Sequence, residues 1–302
     1  MVDRNRESVE MKMKRKPDWL KIQLPKGDDY AYVNGIVQEH GLHTICSSGK
    51  CPNVGECWGN GTATFMILGN ICTRACKFCN VPTGKPLPVN TKEPKRLARS
   101  IKLMKLKHAV ITSVDRDDLE DGGSGIWAEC IKEIKEACPG TTLEVLIPDF
   151  NGKEGDVQKV INENPEVISH NLETVRRLTP EVRSRAKYDL SLKVLKQIAD
   201  SGIVAKSGIM LGLGETEEEI YQTMDDLLAV GVKVMTIGQY LQPTRKHLEL
   251  QEYISPEQFE KYKQVGLEKG FSFVESTPLV RSSYHAEQHV NALKLKQVLK
   301  ND

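Results

Sequence analysis

The sequence predicts an α/β fold, an incomplete parallel (β/α)6 TIM-like barrel with an extension at each end. Three observations predict it. From Ala63 onward, short β-rich apolar runs and amphipathic runs alternate six times, and that alternation calls for a parallel sheet. Six units, fewer than the eight of a closed (β/α)8 barrel, leave the ring open. Three cysteines, Cys72, Cys76 and Cys79, directly follow the first strand, at the end of a parallel barrel where chemistry is placed.

In chain order, residues 1–16 read as a flexible basic lead, and Pro17-Asp18-Trp19-Leu20 opens the ordered part. Residues 17–62 form an N-terminal extension. Gly49, Pro52, Asn53, Gly55 and Gly59 favour turns there. The barrel spans 63–270, with strands expected at 63–68, 108–113, 142–147, 166–170, 203–211 and 232–240. Its helices are expected at 92–105, 125–137, 155–163, 190–201, 216–229 and 256–269. Thr216 and Glu219 have capping-box spacing, and Ser255-Pro256 with Gln258 gives an N-cap, a first-turn proline and a box partner. Pro139-Gly140 stops a helix whose Ile126, Trp127, Cys130, Ile131 and Ile134 share one apolar face. Residues 271–302 form a C-terminal extension.

The bulk numbers exclude several classes. The 302 residues are 39% hydrophobic, enough to bury a core, and the net charge of +1 asks for no nucleic-acid partner. No apolar run is long enough to span a bilayer, and the polar first residues carry no apolar signal core. The expected location is cytoplasmic. Eight cysteines in such a chain point to metal or redox chemistry rather than structural disulfides.

The chemistry centres on Cys72-Thr73-Arg74-Ala75-Cys76-Lys77-Phe78-Cys79, spaced C-x3-C-x2-C. A cubane iron–sulfur cluster takes four thiolates, one per iron. Three on one loop leave an iron open to a substrate or cofactor; a zinc loop with a distant fourth ligand is the alternative. A second group, Cys46, Cys51 and Cys57, is spaced C-x4-C-x5-C and precedes the first strand. That is not a zinc-finger spacing. Cys130 and Cys138 are left over, one as helix packing and one as an idle thiol.

The C-x3-C-x2-C loop, with aromatic Phe78 before its last cysteine, resembles the signature of the radical S-adenosylmethionine superfamily. Together with C-x4-C-x5-C and the wording Cys51-Pro52-Asn53-Val54-Gly55-Glu56-Cys57-Trp58, the chain closely resembles the lipoyl synthases from about Pro17 to Ala286. Ala75 and Lys77 depart from the arginine and proline the family often has beside the middle cysteine; neither position is a ligand. The resemblance implies two 4Fe-4S clusters and S-adenosylmethionine. Cys72, Cys76 and Cys79 would hold the cluster whose open iron chelates S-adenosylmethionine and cleaves it to a 5′-deoxyadenosyl radical. Cys46, Cys51 and Cys57 would hold the auxiliary cluster, with Ser283 of Arg281-Ser282-Ser283-Tyr284-His285-Ala286 as its fourth ligand. An alkoxide is a poor match for a soft iron–sulfur site, so that iron should leave readily. Read without the family, Ser282 and Ser283 are equally turn residues.

The implied reaction inserts sulfur at carbons six and eight of an octanoyl chain, with the auxiliary cluster as donor. The chain is carried on a lysine of a lipoyl carrier domain or glycine-cleavage H protein. A low-potential donor, flavodoxin or ferredoxin, would supply electrons. Two readings from another class stay open, an iron–sulfur electron carrier and a zinc-stabilised binding module. The resemblance also makes Asn171 and Glu173 contacts of S-adenosylmethionine, although an Asn or Glu after a strand is often only a helix cap. Lys206 and Ser207 are further candidates for the cofactor's carboxylate or ribose, and either is equally read as an ordinary strand-end polar residue. Gly208 to Glu215 is similar to the glycine-rich strand beside adenine, and Asp115 to Gly125 is expected to face the site with solvated acidic residues. Lys92, Lys95, Arg96, Arg99, Lys102 and Lys105 give one helix a basic face, either simply solvated or a steering patch for the carrier.

Overall fold

The computed structural model describes residues 15–21, 28–49, 51–59, 62–183, 185–284 and 286–287. The expected lead lies outside the described residues up to residue 14, and so do residues 288–302 of the C-terminal extension and His285.

The N-terminal extension carries three helices, α1 (Asp28–Glu39), α2 (Ile45–Ser48) and α3 (Val54–Gly59). Cys46 lies on α2, Cys57 on α3 and Cys51 between them. Thr44 caps α2, its hydroxyl accepting from the Ser47 amide. The barrel follows as β1 (Thr62–Ile67), α4 (Glu93–Met104), β2 (His108–Ser113), α5 (Ser124–Ala137), β3 (Thr142–Leu146), α6 (Glu154–Asn162) and β4 (Val167–Ser169). It continues through a short α7 (Thr179–Val182), α8 (Tyr188–Asp200), β5 (Val204–Leu211), α9 (Glu217–Ala229), β6 (Val234–Gln239), α10 (Pro256–Lys269) and β7 (Phe273–Ser276).

All six expected βα units are present, and a seventh strand extends the sheet into the expected C-terminal extension. Each strand pairs in parallel with the next, in the order β1 to β7. Phe273-Val274-Glu275-Ser276 is short and interrupted by a charge, so alternation alone does not mark it as a strand. The other strands are buried on both faces, which explains runs such as the fully buried Thr62–Ile67. Thr216 and Glu219 form the full capping box. Ser255 caps α10, but the Gln258 amide donates to Glu217 rather than folding back.

β1 and β7 are the two edges of the sheet, and the N-terminal extension covers the β1 edge. The His43 carbonyl accepts from the Met66 amide, and Thr44 bridges Phe65 antiparallel, so the N-terminal extension shields β1. After β7 the chain turns back across β6, where the Gln239 amide donates to Pro278. We call residues 277–287 the strap. The Asn53 side chain donates to the Leu279 carbonyl at 2.8 Å, and Thr62 donates to Glu287 at 2.7 Å, so the two extensions meet over the open side.

The strap can lie this close because position 238 is glycine. A Cβ there would stand 2.3 Å from the Val280 carbonyl oxygen, a backbone atom that cannot swing aside. Gly238→Ala is therefore expected to lift the strap. Limited proteolysis should then cut the variant within the strap faster than the native chain, and equal cutting rates would show that the strap tolerates a methyl group at position 238.

Candidate active site

The C-terminal ends of the strands open into one cavity of ≈ 360 Å³. Cys46 and Cys51 line one side of it, and Cys72, Cys76 and Cys79 another. Phe78, Asn171, Glu173, Ser282 and Ser283 also reach its wall. Cys57 stands close to Cys46 and Cys51: burial, then the like charge of those two neighbours, pushes its thiol up to about 12. The six cysteines expected as ligands thus gather in two groups. Among the described residues no three His, Cys, Asp or Glu side chains close round a single metal ion; the thiols stand instead around a shared space. Cys130 and Cys138 are buried far along the chain, in α5 and at its C-cap.

The loop from Cys72 to Cys79 is fixed by its own arginine. Arg74, its side chain 3% exposed, donates to Asp117 at 2.9 and 2.8 Å and to Asp149 at 2.9 and 2.7 Å. A fifth bond at 3.1 Å reaches Asn151. One guanidinium therefore joins the loops after β1, β2 and β3 with the forked geometry that only arginine offers. Burial opposes its charge, but the bonds to Asp117 and Asp149 raise its pKa on balance. Burial alone would also raise Asp149, and Arg74 holds that carboxyl at about 2 instead. The expectation of solvated acidic residues after β2 is corrected at Asp117, whose side chain is 9% exposed and spent on this clamp.

The Cys72 sulfur accepts from the Arg74 amide at 3.4 Å and the Asp115 amide at 3.3 Å. Burial, then the Asp115 charge, raises Cys72 to about 11. Burial likewise takes Cys76 to about 12 against the opposing charge of Arg183. Arg183 is a second residue that spacing does not reveal. It donates to the Asn171 carbonyl at 2.8 Å and stands near Glu173.

On the facing shelf, Asn171 donates from one amide nitrogen to Glu173 at 3.1 Å and to Ser282 at 2.6 Å. Its side-chain oxygen Oδ1, unlike the backbone carbonyl held by Arg183, is buried without a hydrogen-bond partner. Glu173 has a φ of 67°, strained for a non-glycine residue, and bridges Ile209 of β5. Burial raises its carboxyl, opposed first by Arg183. Gly208 leaves the room beside Asn171, for a Cβ there would meet Thr236 Oγ1 at 2.3 Å and Asn171 Oδ1 at 3.3 Å.

Lys206 is not brought to this cavity. It lies fully buried inside the sheet, 2.9 Å from Glu144, which also accepts from Ser169 at 2.7 Å. Lys206 faces the interior at the Ser169 and Val234 register, so its ammonium neutralises Glu144 rather than a ligand. The basic residues Lys92, Lys95, Arg99, Lys102 and Lys105 are exposed along α4, with Lys95 3.9 Å from Glu133.

Beneath the shelf, His170 sits 1% exposed. Its Nδ1 donates to the Ile147 carbonyl at 2.9 Å and its Nε2 accepts from Ser191 at 2.9 Å. Burial, helped by the Arg183 charge, lowers it to about 4. A base lowered in the folded state leaves the unfolded chain to take the proton first. Its stabilisation is complete above the ordinary value of 6.5 and is lost as pH falls toward 4. His170 should therefore contribute about 2 kcal/mol less stability at pH 5 than at pH 7. Pulse proteolysis in urea should show this difference in the native chain and not in His170→Gln; an equal slope in both would remove His170 as its source.

The donor set suits soft metal clusters: five cysteines and Ser283 line one cavity, Cys57 stands close to two of them, and Asn171 on the wall carries an unpartnered amide oxygen. Comparison with known proteins agrees. The sequence profile of the Radical SAM superfamily matches residues 66–227. A lipoyl synthase of Treponema denticola is 67% identical over 276 residues, which is 91% of this chain and 95% of that relative. One from Parabacteroides distasonis is 62% identical over 91% of this chain and 98% of its own length. Among solved structures, the hydrogenase maturase HydG of Carboxydothermus hydrogenoformans superposes with a TM-score of 0.58 at 14% identity, covering 87% of this chain and 60% of that one. Streptococcus suis SuiB bound to S-adenosylmethionine gives 0.56 at 12% identity, covering 75% and 54%. At those identities the likeness is one of fold.

Proposed function

The chain belongs to the lipoyl synthases of the radical S-adenosylmethionine superfamily, and from that premise we propose how its residues divide the work. The reaction is the insertion of two sulfur atoms, at C6 and C8, into an octanoyl chain borne by a lysine of a carrier protein. Two 4Fe-4S clusters and S-adenosylmethionine, when bound, supply the electron, the hydrogen-abstracting radical and the sulfur. Unactivated C–H bonds have no acidity for a base to exploit, so the protein's share is binding, orientation and exclusion of water.

In this reading Cys72, Cys76 and Cys79 hold the open-iron cluster on the loop that Arg74 clamps. Phe78 packs at the cavity wall beside them. Asn171 and Glu173 form the shelf for S-adenosylmethionine. The orphaned Asn171 oxygen accepts one donor of that ligand, and the buried Glu173 carboxyl accepts another. Cys46, Cys51 and Cys57 hold the auxiliary cluster, and Ser283 on the strap supplies its oxygen ligand. Functionally the chain divides into the barrel, 63–270, and two extensions, 17–62 and 271–302, which build the auxiliary site together. The carrier is a lipoyl domain or glycine-cleavage H protein, and a flavodoxin or ferredoxin reduces the enzyme in the cytoplasm. Among the described residues, no helix is long and apolar enough to cross a membrane.

The observation that carries this reading is that Cys46, Cys51, Cys72, Cys76, Cys79 and Ser283 line one cavity, with Cys57 close to Cys46 and Cys51. An anaerobic assay with an octanoyl-lysine peptide, S-adenosylmethionine and a strong reductant tests it. Mass spectrometry should find two sulfurs added per peptide. 5′-Deoxyadenosine without any sulfur gain, from protein carrying both clusters, would refute the reading.

A further inference from the structure

Ser282 and Ser283 are neighbours in sequence and both line the cavity. The shelf residue Asn171 donates to Ser282 Oγ at 2.6 Å and to Glu173 at 3.1 Å from the same nitrogen. Glu173 fixes which end of the amide is the donor, because a charged carboxylate would repel the amide oxygen. The oxygen is left buried and unpartnered beside Gly208, a residue of the cavity wall. The strap is also held by backbone contacts to β6, by Asn53 on Leu279, by Tyr284 on Glu56 and by Thr62 on Glu287, and the Asn171–Ser282 bond ties it to the shelf.

We propose that Ser282 is a positioning residue that couples S-adenosylmethionine on the shelf to seating of the strap, and so to retention of the iron beside Ser283. The coupling rests on the roles given above to Asn171 and Ser283. A ligand donor that fills the free Asn171 oxygen immobilises the amide with its nitrogen still on Ser282. Occupancy of the shelf then tightens the strap, and by linkage a seated strap tightens the shelf.

The test uses holoenzyme with both clusters, without reductant so that nothing is cleaved. S-Adenosylmethionine should slow release of auxiliary iron to a chelator by about fivefold, the size one neutral hydrogen bond carries. In Ser282→Ala, which removes only the hydroxyl, that protection should disappear and the Kd for S-adenosylmethionine should rise by about the same factor. Ser282→Thr, which keeps the hydroxyl, should restore both. Equal protection in Ser282→Ala and the native chain would overturn the coupling while leaving the assignment of Ser283 untouched. Unchanged iron release in Ser283→Ala would overturn the ligand assignment, and the coupling with it.

Discussion

Cys76→Ala is expected to reduce 5′-deoxyadenosine formation to the uncatalysed background, whereas Cys51→Ala should keep forming it and insert no sulfur. The two thiols line the same cavity but belong to different groups. Cys76 is central in a loop with no spare thiol. The two leftover cysteines, Cys130 and Cys138, are buried in and just after α5 and cannot replace it. Cys51 stands on the N-terminal extension, near Arg281 of the strap. On the ligand set proposed above, its loss removes one auxiliary ligand and leaves the clamp, the shelf and the loop of Cys72 to Cys79 in place. Anaerobic incubation with reductant, read for both products by mass spectrometry, separates the two roles. Lipoyl product from Cys51→Ala would show that sulfur comes from elsewhere.

The second large effect is expected at Arg74. Replacement by glutamine takes the guanidinium from Asp149, 2% exposed, and leaves Asp117 with Arg185 at 3.4 Å and Asn151 at 2.9 Å. Stranding buried charge in this way costs about 3–5 kcal/mol, far more than loss of a surface ion pair. Arg74→Gln should unfold at markedly lower urea concentration and lose the iron held by Cys72, Cys76 and Cys79. Arg74→Lys should recover little, because one ammonium cannot make two forked pairs at once. Native-like stability in Arg74→Gln would mean that the three loops are held together by something other than this clamp.

Arg74 also shows where reading a sequence stops. The cysteine loop was legible because thiol spacing is local and few chemistries use it. The parallel sheet was legible because strands buried on both faces leave apolar runs that alternate with amphipathic helices. Arg74 lies within the same eight residues, but its partners Asp117 and Asp149 are 43 and 75 positions away. Nothing local marks a guanidinium as buried. Lys206 failed for the converse reason. A lysine at a strand end suggests a ligand contact, and only the register that sets β5 beside β4 reveals Glu144 as its partner. The strap's closeness to β6 was hidden in Gly238, where the informative feature is an absent side chain.

The strap has one more consequence, for biosynthesis. All six cysteines that line or flank the cavity are translated before residue 80, and Ser283 follows the whole barrel. A nascent chain therefore exposes all six thiols before the barrel is complete. On the ligand set proposed above, the auxiliary group gains its serine oxygen only after the barrel strands are made and the strap has turned back across β6.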